Sequence, residues 1–139
     1  MSTDERVEVG TELPTARYEL SREDLRAYAE ASGDRNPIHL DEATARSVGL
    51  PDVIAHGMLT MGLAGTVVAD WVGDPARVLS YGTKFTAPVV VPAGAPAVVE
   101  VAGTVVGLDA AAGTAEVDLV VTSGDEKVLT RARAVVALR

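Results

Sequence analysis

Residues 56–72 read HGMLTMGLAGTVVADWV. From Met58 to Ala69 the stretch carries no charge, and Thr60 and Thr66 are its only polar side chains. A helix that is apolar on every face belongs in the middle of a core. Gly62 and Gly65 each cost about 1 kcal/mol against Ala inside a helix. Their presence predicts a neighbour packed closely against this helix, and a sheet wrapped around it would be such a neighbour.

The chain downstream supplies that sheet. Residues 76–88 hold Val78, Tyr81, Thr83, Phe85 and Thr86; 97–106 and 114–122 are rich in Val with partial alternation; 128–138 alternates Arg131 and Arg133 with Thr130, Ala132 and Ala134. Turn residues at 92–94, 108–113 and 123–125 separate these segments. Four long strands after one buried helix predict an α+β arrangement, an antiparallel sheet curled round the helix. Trp71 and Tyr81 read as packing residues.

Upstream, a short strand is expected near 7–9 and another at 15–20. Ser21 offers an N-cap with Glu23 and Asp24 in the first turn. Leu25, Tyr28 and Ala29 recur at helical spacing, so 22–31 is a helix that Gly33 ends. A short helix is expected over 41–47. Between the two helices lies Asp34-Arg35-Asn36-Pro37-Ile38-His39. Pro37 pushes Asn36 out of helical space, which makes this a structured loop.

The 139 residues fit one domain, expected to occupy 1–139, and 47% apolar residues suffice for a core without staples. The chain has no cysteine, which removes disulfides, thiolate nucleophiles and Cys-ligated zinc. A net charge of -8 argues against nucleic-acid binding, although Arg46, Arg77, Lys84, Arg131 and Arg133 could gather into a local basic patch. No run of about 18 apolar residues suggests a membrane span. The opening residues are polar and acidic, unlike a signal peptide, so a cytoplasmic protein is expected.

His39 and His56 are the only histidines, and neither a metal-binding nor a cofactor-binding pattern surrounds them. No G-x-S-x-G and no Gly-rich phosphate loop is present. Asp34 and His39 remain. A carboxylate and an imidazole close together can serve as general acid and base, and histidine titrates near neutral pH. Residue types alone leave a second reading open, in which Asp34 caps a turn and His39 is structural. His56-Gly57 opens the apolar helix, where free N–H groups and the helix dipole suit developing negative charge. Gly57 would let a substrate approach the backbone, or merely permit a tight entry into the helix. His56 is expected to be structural or capping, and Asn36 to hold the loop through Asx bonds.

Ser32-Gly33-Asp34-Arg35-Asn36-Pro37-Ile38-His39, followed by Ile54-Ala55-His56-Gly57-Met58-Leu59, resembles the hydratase motif of the MaoC-like enzymes. These include (R)-specific enoyl-CoA hydratases and (3R)-hydroxyacyl-ACP dehydratases; the pattern is nearest to the catalytic beta subunit of mycobacterial heterodimeric dehydratases. The likeness runs on through Thr60-Met61-Gly62, residues 71–75 and Phe85-Thr86. It implies a hot-dog fold, with the long helix as sausage and the sheet as bun. It implies Asp34 and His39 as catalytic residues, the Gly57 amide as donor to a thioester carbonyl, and Asn36 and His56 in support. It also implies an acyl-CoA or acyl-ACP substrate, no cofactor, and a homodimer or a heterodimer with a related hot-dog subunit. One position departs: some (R)-hydratases carry Ser where this chain has Gly65, so no hydroxyl comes from the helix there. Two rival readings are a non-catalytic acyl-binding subunit and a hot-dog thioesterase. The Asp34–His39 pair argues against the first. The absence of an acid on the helix before Asp70 argues against the second.

Overall fold

The computed structural model describes residues 6–139. The first strand, β1 (Ala16–Leu20), runs directly into helix α1 (Arg22–Ser32). Ser21 starts that helix with a capping box: its hydroxyl accepts from the Asp24 amide, and the Asp24 carboxylate accepts from the Ser21 amide. Gly33, at φ 81°, closes it with an N–H bond to the Ala29 carbonyl. A 3₁₀ turn (Pro37–His39) and a short helix α2 (Glu42–Ser47) follow, the latter capped by Asp41. Helix α3 (Gly57–Val72) is the apolar stretch read from the sequence.

The remaining strands are β2 (Val78–Phe85), β3 (Ala97–Asp109), β4 (Thr114–Ser123) and β5 (Glu126–Ala137). They join β1 in one antiparallel sheet of order β1-β3-β4-β5-β2. The expected α+β class and the sheet curled on the helix are therefore correct. Register shifts interrupt the β2–β5, β3–β4 and β4–β5 pairings, and such bulges bend a sheet. The inner face buries Val99, Val101, Val117 and Val121 in the same cluster as Ala64, Val67 and Val68 of α3.

Three details differ from the sequence reading. Residues 7–9 form no strand; chain pairing begins at Gly10, whose N–H reaches Val105, and continues where Leu13 N–H meets Gly103. The expected start of β2 at 76 is a 3₁₀ turn (Pro75–Arg77), because the Asp74 carboxylate takes the Ala76 amide. Helix α3 is not buried all round. The stripe Met58, Gly62, Thr66 is exposed, Met58 to 60%, and nothing stands within 4 Å of a Cβ built at Gly62. Gly65 does have the close neighbour expected of it: a Cβ there would stand 3.0 Å from the Tyr81 ring. Among the described residues no helix is long and apolar enough to cross a membrane.

Candidate active site

The loop between α1 and α2 is shaped by its own polar side chains. The Asp34 carboxylate accepts the Asn36 amide at 3.1 Å, and the Asn36 side chain accepts the Ile38 amide at 3.2 Å. Asn36 thus does what was expected of it, holding the loop by an Asx bond. Asp34 is exposed in the single chain, and one of its oxygens serves the turn as well.

His39 ends this loop and is 8% exposed. Its Nδ1 lies 2.7 Å from the Ile54 carbonyl oxygen. A carbonyl only accepts, so in the neutral ring Nδ1 carries the proton and Nε2 keeps its lone pair. Ile54 is itself fixed: its N–H donates to the Ile38 carbonyl, and it bridges to Val90. On either side, Val53 and Ala55 exchange backbone bonds with Val91 and Val89.

His56 is 1% exposed and stacks on His39, with ring centroids 3.9 Å apart. Its Nε2 donates to the Asp34 backbone carbonyl at 2.9 Å, and Tyr28 meets it edge-on at 4.7 Å. It occupies the N-cap position of α3 but makes no side-chain cap bond there. The capping half of its expected role is thus not found, because the ring turns to Asp34 instead. Its buried Nδ1 has no hydrogen-bond partner among the described residues. Burial holds this imidazole below the ordinary histidine pKa, and nearby His39 pushes the same way, against the Asp34 carbonyl and carboxylate.

Asp34, His39 and His56 each present a donor atom, all within 4.8 Å of one another. A cation could be offered that set, yet one nitrogen of each imidazole is already committed to a carbonyl. Beside His39 lies a cavity of about 260 Å³, lined by Gly57, Thr60, Phe85, Val89 and Leu129 among others. Gly57 opens α3 on its wall; the Leu59 amide already bonds the His56 carbonyl at 3.1 Å, while the amide of Gly57, the first helical residue, has no carbonyl within the helix to reach. Asp34 does not line the cavity, although its carboxylate lies within 4.8 Å of a nitrogen of each imidazole. The space a Cβ would take at Gly57 meets the Phe85 ring at 3.0 Å. At Gly65, where a serine was noted as missing, the Tyr81 ring fills the place and its hydroxyl donates to the Met61 carbonyl at 2.7 Å.

The family model described as "MaoC like domain" matches residues 4–123. The chain belongs to the MaoC-like family. A solved MaoC-like dehydratase superposes on this MaoC-like chain with a TM-score of 0.94 at 42% identity, over 97% of this chain and 42% of the other. An (R)-hydratase from A. caviae gives a TM-score of 0.85 at 26% identity, over 97% of this chain and 99% of that one. Among curated relatives, the 3-hydroxybutyryl-CoA dehydratase of Methylorubrum extorquens is 41% identical over 87 residues, 61% of this chain and 54% of that protein. The chain spans about half the length, or less, of the first curated relatives it matches. With these neighbours the hot-dog fold is established for this MaoC-like chain.

Sequence reading missed the Ile54 carbonyl, Tyr28 and Phe85 as parts of this neighbourhood. A backbone oxygen carries no side-chain signal. In the sequence Tyr28 signals only helix periodicity. Phe85 belongs to the end of β2, which only the sheet order brings to the start of α3.

Proposed function

We propose that this chain, acting as one domain over 1–139, interconverts (3R)-hydroxyacyl and trans-2-enoyl thioesters by removing or adding water. The observation that carries the reading is His39: an imidazole with its Nε2 lone pair free, on the wall of a cavity at the start of α3, within 4.8 Å of the Asp34 carboxylate. Proton abstraction alpha to a thioester throws negative charge on the carbonyl oxygen, which needs fixed donors in a site shielded from water. The Gly57 N–H would supply one. In the dehydration direction the Nε2 lone pair of His39 takes the proton from C2, while Asp34, entering protonated, gives its proton to the departing C3 hydroxyl. In hydration the imidazolium returns that proton to C2 as the Asp34 carboxylate draws one from the water attacking C3. A positioned acid–base group contributes typically about 10²–10⁴ in rate.

The carrier is CoA or acyl carrier protein, and the site is completed by a second hot-dog subunit, identical or related. Two features support pairing. Strand β2 is an unpaired sheet edge, and Leu79, Phe85 and Met58 leave apolar surface exposed along it and the adjoining helix. The cytoplasm is the proposed compartment, a reading that rests on the sequence alone.

The test is hydration of crotonyl-CoA, followed by loss of the conjugated thioester absorbance. Asp34→Asn and His39→Ala, each confirmed folded by circular dichroism, are expected to lose at least about 10²-fold in kcat. Wild-type rates in both variants would end the assignment.

A further inference from the structure

Among the described residues, His56 is the one buried titratable group beside the site for which the reaction proposed above finds no use. We propose that His56 is a positioning residue, a neutral ring that sets both Asp34 and His39. The inference rests on the proposed function for its catalytic consequence but on geometry for its substance. One face of the ring carries His39 at 3.9 Å. One edge donates from Nε2 to the Asp34 carbonyl, although Asp34 lies 22 positions away in sequence. The two proposed catalytic residues thus share a single support rooted at the first residue before α3.

The alternative is that His56 merely fills space. A phenylalanine would fill it without placing an unpartnered Nδ1 in the interior. Nothing about packing calls for a donor aimed at the Asp34 carbonyl, and that carbonyl fixes where the Asp34 side chain begins. Two imidazolium rings at this spacing would repel, so the stack carries at most one charge. Of the groups that face His56, His39 from the 3₁₀ turn favours the neutral ring, Asp34 from the loop opposes it through its carbonyl and carboxylate, and Tyr28 from α1 meets its edge. Burial lowers the His56 pKa further.

Two variants separate the two tasks. His56→Phe keeps a ring under His39 and removes the donor to Asp34. His56→Gln keeps an N–H for Asp34 and removes the ring. Each is expected to lower kcat for crotonyl-CoA hydration about tenfold to a hundredfold, as a small misplacement of reacting groups does, with KM within about twofold. Nitrogen NMR of the His39 ring needs no turnover. It should show one Nδ1–H tautomer in the wild type and in His56→Phe, and a tautomer mixture in His56→Gln. If His56→Gln does not fold, His56→Asn takes its place. Wild-type kcat in both variants overturns the proposal. So does a single unchanged His39 tautomer in the ring-deleted variant. A wild type that turns over no thioester instead defeats the hydratase reading, and the NMR arm then decides alone whether His56 sets His39.

Discussion

Two glycines meet an aromatic ring at the same distance, and the structure predicts opposite outcomes for filling them. A Cβ at Gly65 would stand 3.0 Å from Tyr81 Cε2, and a Cβ at Gly57 would stand 3.0 Å from Phe85 Cε1. Tyr81 is pinned. Its hydroxyl bonds the Met61 carbonyl on the same helix, and the ring packs against the core. For Gly65→Ala to be accommodated, the ring must compress, at about 1–3 kcal/mol, or give up that bond and strand the half-buried hydroxyl, at about 1–3 kcal/mol. Helix propensity returns about 1 kcal/mol. The net is a destabilisation of up to about 2 kcal/mol. Phe85 is 51% exposed and carries no hydrogen bond, so its ring can swing toward water. Gly57→Ala should therefore stay within about 0.5 kcal/mol of the wild type, as open surface changes do. Urea unfolding at one protein concentration reads both. Gly65→Ala should lower the midpoint with an unchanged slope, and Gly57→Ala should leave both unchanged. A Gly65→Ala midpoint at or above wild type, or a larger loss for Gly57→Ala, would show that ring freedom does not decide the cost.

Stability should also depend on pH through His56. Its folded pKa lies below the usual value of about 6.5, so above that pH both folded and unfolded chains hold it neutral. As pH falls below about 6.5 the unfolded chain takes up the proton first. Stability then drops toward the folded pKa, at up to about 1.4 kcal/mol per pH unit. Urea midpoints between pH 7.5 and 5.5 check this, and His56→Phe should flatten the profile. Asp52→Ala should cost about 1–3 kcal/mol in the same assay. It removes the shortest bond of the Arg22 guanidinium, 2.5 Å to Asp52, leaving it the Val91 carbonyl at 3.0 Å and Glu42 at 3.7 Å, and it removes the acceptor of the Val53 amide. Burial pushes the Tyr81 hydroxyl up to about 12. An ultraviolet titration should show a late tyrosinate step that Tyr81→Phe abolishes.

Helix α3 and the four long strands were legible because each announces its period and its stops over many residues. The loop was legible for a different reason. Gly33 and Pro37 fix where helix ends and extended chain begins, and Asp34, Asn36 and His39 are the polar groups between them. What sequence could not give is which side of α3 the sheet covers. A helix apolar on every face looks the same whether its last face meets a strand or is left free, as Met58, Gly62 and Thr66 are. The partner of His39 was hidden too, because a main-chain oxygen at Ile54 has no residue type to betray it. Strand expectation failed at 7–9 because Gly10, at φ 98°, turns the chain before it can pair.

Carbonyl anchoring explains how one short loop can hold a reactive geometry. The Ile54 and Asp34 carbonyls each take one N–H of His39 and His56 and fix the direction of the two rings. The second Asp34 carboxylate oxygen then stays uncommitted to either ring. The anchors are themselves stiff. Ile54 is stitched to Ile38 and Val90, and its neighbours Val53 and Ala55 belong to the buried core with Val89 and Val91. A loop that is exposed at Asp34 therefore inherits its precision at His39 from the interior. Substitutions at Val53 or Val91 should then disturb the His39 ring before they disturb the loop that carries it.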